Sequence, residues 1–315
     1  MAVGEFIFYH YNPSLAAAAV FIVLFSLAAC GHTFQLLRSR TLYFIPFLIG
    51  CVFEAVGYVG RAISATQSPN WTTIPYIIQS LLLLLGPTLL AASIYMVLSR
   101  LITLLQADSY SLIRPHRLTK AFVSGDVVSF LAQSGGGGML SNVKTLDDQK
   151  KGQNIIIGGL GIQIIFFGFF MVVTFVFHRR IVTNPTPRSL SILVPWQKYI
   201  FILYASSVFI MIRSVFRIVE YISGADGTLQ STEVYIYVFD ASLMFIVAAL
   251  FNVYHPSRII SGKRDRFDVS DNEEGPEVYR MNTRRQQSNQ SILPDASTSY
   301  YGGYTSYDSL QQQQR

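Results

Sequence analysis

Seven stretches of about twenty mostly apolar residues dominate the chain, and that is the length an α-helix needs to cross the hydrocarbon of a bilayer. They cover residues 14–37, 42–63, 76–99, 121–140, 154–177, 199–222 and 234–254. Hydrocarbon offers nothing to hydrogen-bond a bare peptide group, so such stretches fold as helices, which satisfy their own backbones. The expected fold is all-α: a polytopic membrane protein with seven transmembrane helices within residues 14–255, a short leading segment 1–13 and a tail 256–315. Composition agrees, since only 13% of residues are charged against about 25% in soluble domains. The fourth stretch is the least apolar. It holds Asp126, Gln133 and the run Gly135-Gly136-Gly137-Gly138, which leaves a re-entrant segment open as an alternative.

Basic residues in the connections give a direction. With the N-terminus outside, the inner connections and the start of the tail carry fourteen Lys and Arg, among them Arg38, Arg40, Arg100, Lys120, Arg179 and Arg264. The outer side carries four, counting Arg61 at a span end. That asymmetry fits the positive-inside rule for seven crossings. A re-entrant fourth segment would flip every later connection and erase the bias. Residues 1–13 have no Lys or Arg, so the first span is expected to be an uncleaved anchor. Asn70-Trp71-Thr72 is a glycosylation sequon in an outer connection. Asn289-Gln290-Ser291 would face the cytosol and stay bare. The tail is charge-rich, then Gln-, Ser- and Tyr-rich, a composition expected to be disordered. It includes Tyr307-Asp308-Ser309-Leu310, which has the form of a sorting signal and is short enough to arise by chance.

Four acids and three arginines lie inside or at the ends of the apolar stretches: Glu54, Arg61, Asp126, Arg213, Arg217, Glu220 and Asp240. Each costs about 2.5–3.5 kcal/mol in hydrocarbon even on the lenient insertion scale. They are therefore expected to face one another or a wet path. Helical spacing groups them into stripes: Glu54, Tyr58 and Arg61; Gln79, Gly86 and Ser93; Asp126, Ser129 and Gln133; Arg213, Arg217 and Glu220. Depth assembles an outer-half set of Glu54, Glu220 and Asp240 against Arg61, Arg213 and Arg217, formally neutral. Such a set serves equally as a structural ion-pair network or as a groove for a polar headgroup. Arg213 and Arg217 suit a phosphate or carboxylate, and Glu54 or Asp240 an amine. Pro87 beside Gly86 breaks a backbone ladder in mid-span and frees a carbonyl. Gly86, Pro87, Gly135 and Gly136 are hinge candidates, with close packing as the other explanation.

Several chemistries are excluded by the residues. No Gly-Lys-Ser/Thr phosphate loop is present, so no nucleotide is expected as fuel. The seventh stretch contains no lysine for a retinal Schiff base. Only His32 lies well inside a span, too few for an intramembrane zinc centre; it reads as a packing residue, and His178, His255 and Trp196 as interface residues. Cys30 and Cys51 read as small buried hydrophobes. No metal, cofactor or catalytic set is expected, and the chain reads as a non-enzyme. Its net charge of +6 is scattered over short connections, which is a topology signal and does not indicate nucleic acid.

Five segments, in order, carry a family resemblance: residues 54–61 (EAVGYVGR), 79–100 (QSLLLLLGPTLLAASIYMVLSR), 122–138 (FVSGDVVSFLAQSGGGG), 213–221 (RSVFRIVEY) and 233–256 with Asp240, Met244, Asn252, His255 and Pro256. Tyr11-Asn12-Pro13-Ser14 fits as well. Over about residues 10–258 the chain resembles the fungal RTA-like, or lipid-translocating exporter, family. The resemblance implies a seven-span protein of the plasma membrane or an endomembrane such as the vacuole. It further implies export or flipping of sphingoid long-chain bases, resistance to toxic amphiphiles, and in some members porphyrin uptake. Two functions are therefore carried: an amphiphile translocase working without ATP, with the bilayer and an amphiphilic lipid or drug as partners, and a seven-span receptor or stress sensor for such a ligand. A sensor should depend on its inner connections and tail, a translocase on the bundle alone.

The charge asymmetry predicts a cytosolic C-terminus. A reporter fused after Ser261 should read on the cytosolic side, and a lumenal or extracellular signal would overturn the orientation.

Overall fold

Each apolar stretch folds as a helix, and most of these helices run past the apolar stretch. In the computed structural model, described for residues 11–141, 146–192, 195–223, 229 and 232–257, α1 spans Leu15–Ser39, α2 Ile45–Thr66, α3 Thr73–Leu104, α4 Pro115–Ser141 and α5 Leu146–Thr183. A short α6, Pro187–Ser191, precedes α7, Trp196–Ser223, and α8 runs over Val234–Val253. Every regular element among the described residues is helical. Local signals set several ends. Ser14 caps α1 through its side chain, which accepts from the Ala17 N–H, and prolines stand in the first turns of α2 and α6. The expectations for residues 1–10, for Lys144 and for the tail from residue 258 lie outside the described residues.

Six of these helices, α1, α2, α3, α5, α7 and α8, are long and apolar enough to cross a membrane. The exception, α4, begins with the polar turn 115–120 and carries the Asp126 stripe, which lowers its hydropathy. It is nevertheless one unbroken helix of 27 residues, about 40 Å long at 1.5 Å per residue. The chain does not turn back at the four glycines, as a re-entrant segment would. Neighbours pack in sequence order, α1 on α2, α2 on α3, α3 on α4, α4 on α5, α5 on α7 and α7 on α8, and α8 returns to α1. α3 also touches α7, across the ring.

Burial is inverted relative to a water-soluble protein. Leu27 (65% exposed), Ile165 (70%) and Phe201 (61%) point outward, while Glu54, Asp126, Arg213 and Asp240 are buried. This is the arrangement expected when the surrounding solvent is hydrocarbon. Cys51 is buried, but Cys30 is exposed on the outer face of α1, which corrects its reading as a buried hydrophobe. Small residues let helices approach where the polar residues do not intervene. A Cβ at Gly136 would lie 2.7 Å from the Gly152 carbonyl oxygen of α5, so the second of the four glycines is a close-packing site.

Histidines and tryptophan anchor the other end of the bundle. His32 Nε2 lies 3.1 Å from the Ala248 carbonyl and packs edge-on to Phe47, as a packing histidine should. His255 and Trp196, at helix ends, are buried against the protein: His255 stands edge-on to Phe44, and the Trp196 Nε1–H donates to the Ser189 carbonyl at 3.2 Å. Asn252 Nδ2 donates to the Ala28 carbonyl at 3.1 Å and ties α8 to α1. Exposed Asn70 lies in the bend between α2 and α3.

Two adjacent glycines allow a paired test. Gly136→Ala should cost about 1–3 kcal/mol by overpacking, whereas Gly135→Ala, which meets nothing within 4 Å, should gain up to about 1 kcal/mol of helix propensity. Thermal unfolding in detergent reads the difference; equal shifts would contradict the packing of α4 on α5.

Candidate functional site

The stripe on α2 is as buried as any apolar core: Glu54 and Arg61 are 1% exposed and Tyr58 is fully enclosed. Glu54 points at α3, where a Cβ on Gly86 would sit 2.7 Å from its Oε1. Glycine at that position is what makes room for the carboxyl. One residue on, Pro87 has no N–H to give the carbonyl four residues back, and that carbonyl belongs to Leu83. Arg213 takes it. Its Nη2 donates to the Leu83 oxygen at 2.8 Å, and its Nε donates to Asp240 Oδ1 at 2.7 Å. One guanidinium thus joins α7 to the broken ladder of α3 and to α8. Asp240 lies in a π-helical turn, Tyr237–Ala241, the kind of local widening often found at functional sites.

A second cluster closes the end of the bundle where α1 begins. Arg61 Nη2 donates to the Tyr11 hydroxyl at 2.7 Å and to Glu233 Oε1 at 2.9 Å, and Nε donates to the Tyr237 hydroxyl at 3.0 Å. Tyr237 in turn donates to Glu233 at 3.0 Å. Both Glu233 oxygens accept from the Ser14 backbone N–H at 2.9 Å, so this carboxylate also caps α1, where the helix dipole favours negative charge. The guanidinium stacks over the Tyr11 and Tyr237 rings at 5.5 and 5.2 Å. Burial pushes the Tyr11 phenol above its ordinary pKa, with Arg61 partly opposing, so Tyr11 meets the cation as a neutral hydroxyl. Tyr58 stacks on Phe21 and Phe25 beside this cluster.

The expected neutral outer-half set is therefore regrouped. Arg61 pairs with Glu233, Arg213 with Asp240 and Arg217 with Glu220 at 2.8 Å. Among the described residues Glu54 joins none of these ion pairs, and its Oε1 is buried without a hydrogen-bond partner. Three arginines then face four carboxyls, and Glu54 is the carboxyl without an arginine partner. Glu233 was missed because it stands just before the apolar stretch 234–254 and reads as a connection residue. The signals that could have found it are its place at the start of the 233–256 segment and the need of Arg61 for a counter-ion.

The α4 stripe faces α5. Ser129 Oγ donates to the Gly159 carbonyl at 2.7 Å, and Gln133 Nε2 reaches Ser129 Oγ at 2.6 Å and Gln163 Oε1 at 3.3 Å. Asp126 is buried beside Tyr95, which presents its hydroxyl without reaching hydrogen-bond geometry. Gln79 packs against Gly60. Sequence spacing thus brought each stripe onto one buried face. It did not bring Asp126 to the outer cluster, in keeping with its expected depth.

A helical bundle with an apolar exterior and arginine–carboxylate pairs buried among α2, α7 and α8 defines an integral membrane protein. Residues 47–263 match the family described as RTA1 like protein, and the chain belongs to that family. It is 41% identical to protoporphyrin uptake protein 1 of Saccharomyces cerevisiae, over 79% of this chain and 91% of that one. It is 27% identical to the probable lipid transporter atnI of Emericella nidulans, over 82% and 69%. It is 26% identical to the sphingoid long-chain base transporter RSB1 of S. cerevisiae, over 84% and 78%. No solved structure matches the chain. These relatives support membrane transport at the level of the family.

Breaking the Arg213–Asp240 pair should be costly. Asp240→Leu leaves a buried cation and should lose about 3–5 kcal/mol, read as lost abundance in the membrane. The double variant Arg213→Met/Asp240→Leu should recover part of that loss. Equal losses in the single and double variants would show that the pair is not the source.

Proposed function

We propose that this chain translocates amphiphilic lipids between the leaflets of a membrane without hydrolysing ATP, and that long-chain amines of the sphingoid-base type are its substrate class. The single observation behind this reading is Glu54. A buried carboxyl near the middle of a helix, with one oxygen unpartnered, is costly unless something else meets it. An ammonium headgroup with three N–H donors matches that vacancy in charge and hydrogen bonding. The Gly86 notch seats the carboxyl against α3, and the junction of Arg213, Asp240 and the Leu83 carbonyl supplies a rigid wall.

In this reading the headgroup passes Glu54 while its chain stays in lipid, and the ring of Tyr58 borders the route. Movement is downhill or coupled to an ion. The residues expected to line the path are Glu54, Tyr58, Gln79 and the Arg213–Asp240 pair, with Gly86-Pro87 as the place where α3 flexes. Seven crossings, with α4 as the fourth and the N-terminus outside, complete the topology: α4 has the length to cross, and charge bias supports the orientation. Residence in the plasma membrane and a part in resistance to toxic amphiphiles follow from the same reading. Two relatives, a sphingoid long-chain base transporter and a probable lipid transporter, support it.

Glu54→Gln keeps the shape and removes the charge. The variant should reach the membrane at normal abundance, and in liposomes should lose at least about tenfold in leaflet exchange of a labelled sphingoid base, the equivalent of about 1.4 kcal/mol. Normal exchange at full abundance would sink the role given to Glu54.

A further inference from the structure

A second site lies away from the residues given to the amine. Between α3, α4, α5 and α7 there is a cleft of about 160 Å³, lined on its polar side by Arg217, Gln133 and Ser134 and on its apolar side by Leu81, Leu84 and Ile156. Its α4 wall includes Gly137 and Gly138, and Ile77 at its edge is 39% exposed, so the cleft reaches the apolar outer surface. This volume is below that of pockets that enclose a drug-sized molecule. It fits a headgroup whose chain remains outside.

The polar lining is incomplete in a specific way. Three buried atoms on these residues, Arg217 Nε, Ser134 Oγ and Gln133 Oε1, have no hydrogen-bond partner. Buried polar atoms in native proteins are nearly always satisfied, and exceptions ask for an explanation. Three on residues lining one cleft describe a ligand. The guanidinium gives its Nη1 edge to Glu220 and keeps the Nε–H. Gln133 spends its amide nitrogen on Ser129 and Gln163 and keeps its oxygen. The cleft therefore offers a cationic N–H donor, a hydroxyl and an amide acceptor.

The geometry points to a binding site for an amphiphile whose headgroup carries a phosphate or carboxylate oxyanion together with a hydroxyl or amine. The oxyanion accepts from Arg217 Nε and the Ser134 hydroxyl, as charge-assisted hydrogen bonds favour, and the hydroxyl or amine donates to Gln133 Oε1. Arg213 takes no part, because it does not line the cleft. None of these three partners belongs to the amine path, and binding can be measured without transport, so this proposal and the preceding one fail separately.

The test is equilibrium binding to the purified full chain in detergent micelles. A short-chain lysophosphatidic acid, which has both phosphate and hydroxyl, should bind more tightly than dodecyl phosphate, and both at least tenfold more tightly than a monoacylglycerol of equal chain length. Inorganic phosphate should fail to compete, which separates a lipid headgroup from a free anion. Arg217→Gln should weaken lysophosphatidic acid tenfold or more and Ser134→Ala severalfold, with exposed Lys198→Gln as an unchanged control. Since Arg217→Gln strands Glu220 and can impair folding, Gly137→Leu provides an independent arm. A Cβ at residue 137 meets nothing within 4 Å and Gly137 lines the cleft, so the leucine side chain is expected to extend into the cleft, and binding should fall tenfold in a protein that unfolds at the normal temperature. Undiminished binding in folded Gly137→Leu, equal affinity for the monoacylglycerol, or competition by inorganic phosphate would each overturn the proposal.

Discussion

The guanidinium of Arg213 does three jobs in one place. It neutralises Asp240, it replaces the N–H that Pro87 lacks, and it fixes α7 against α3 and α8. In water each of these contacts would be weak, because solvent competes for both partners. In a low-dielectric bundle the alternative is an unpaired charge or a bare carbonyl, so the three contacts hold or fail together. Pro87 of α3, the π-helical turn of α8 and the cation of α7 are one feature seen on three helices. Gly86 adds a fourth element by admitting Glu54 from α2.

Around that junction the bundle follows two packing rules. Where helices need to touch, they use small residues, as at Gly136 against Gly152 and at Gly159 against Gln133. Where they carry polar groups, those groups are mostly paired: Ser129 with Gly159, Asn252 with Ala28, His32 with Ala248. Buried polar atoms without a hydrogen-bond partner, among them both Asp126 oxygens and the Tyr58 and Tyr95 hydroxyls, occur at several places; Glu54 Oε1 sits at the junction, and Arg217 Nε, Ser134 Oγ and Gln133 Oε1 belong to a single cleft. In the proposed reading, the headgroup supplies the missing partners.

The Arg61 cluster makes a contrasting case. Every polar contact there is closed within the chain, from Tyr11 and Ser14 through Glu233 to Tyr237. Its carboxylate caps α1 and pairs with α2, while belonging to the entry of α8. The cluster reads as a clasp that fixes the end of the bundle, and it ties the Tyr11-Asn12-Pro13-Ser14 segment, which lies before the first helix, to α2 and the entry of α8. Membership in the RTA1 like family and transport-named relatives fit a bundle of this construction.

Much of this was legible in the sequence. Apolar runs of membrane length determine helices, because no other backbone conformation is satisfied in lipid, and all seven expected stretches are helical. Spacing determined which polar residues share a face: Glu54, Tyr58 and Arg61 are buried together, as are Asp126, Ser129 and Gln133. The missing N–H of Pro87 guaranteed a free carbonyl. Pairing was not legible, because it depends on which helices are neighbours and how they are rotated, and no local pattern encodes that. Only the tertiary structure gave Arg61 to Glu233 and left Glu54 alone, and only it made Gly86 a notch and Gly136 a contact point while α4 ran on through four glycines. The reason is physical: periodicity along a chain selects a face, but the partner of a buried charge is set by distances between helices, and in low dielectric those distances decide everything the charge can do.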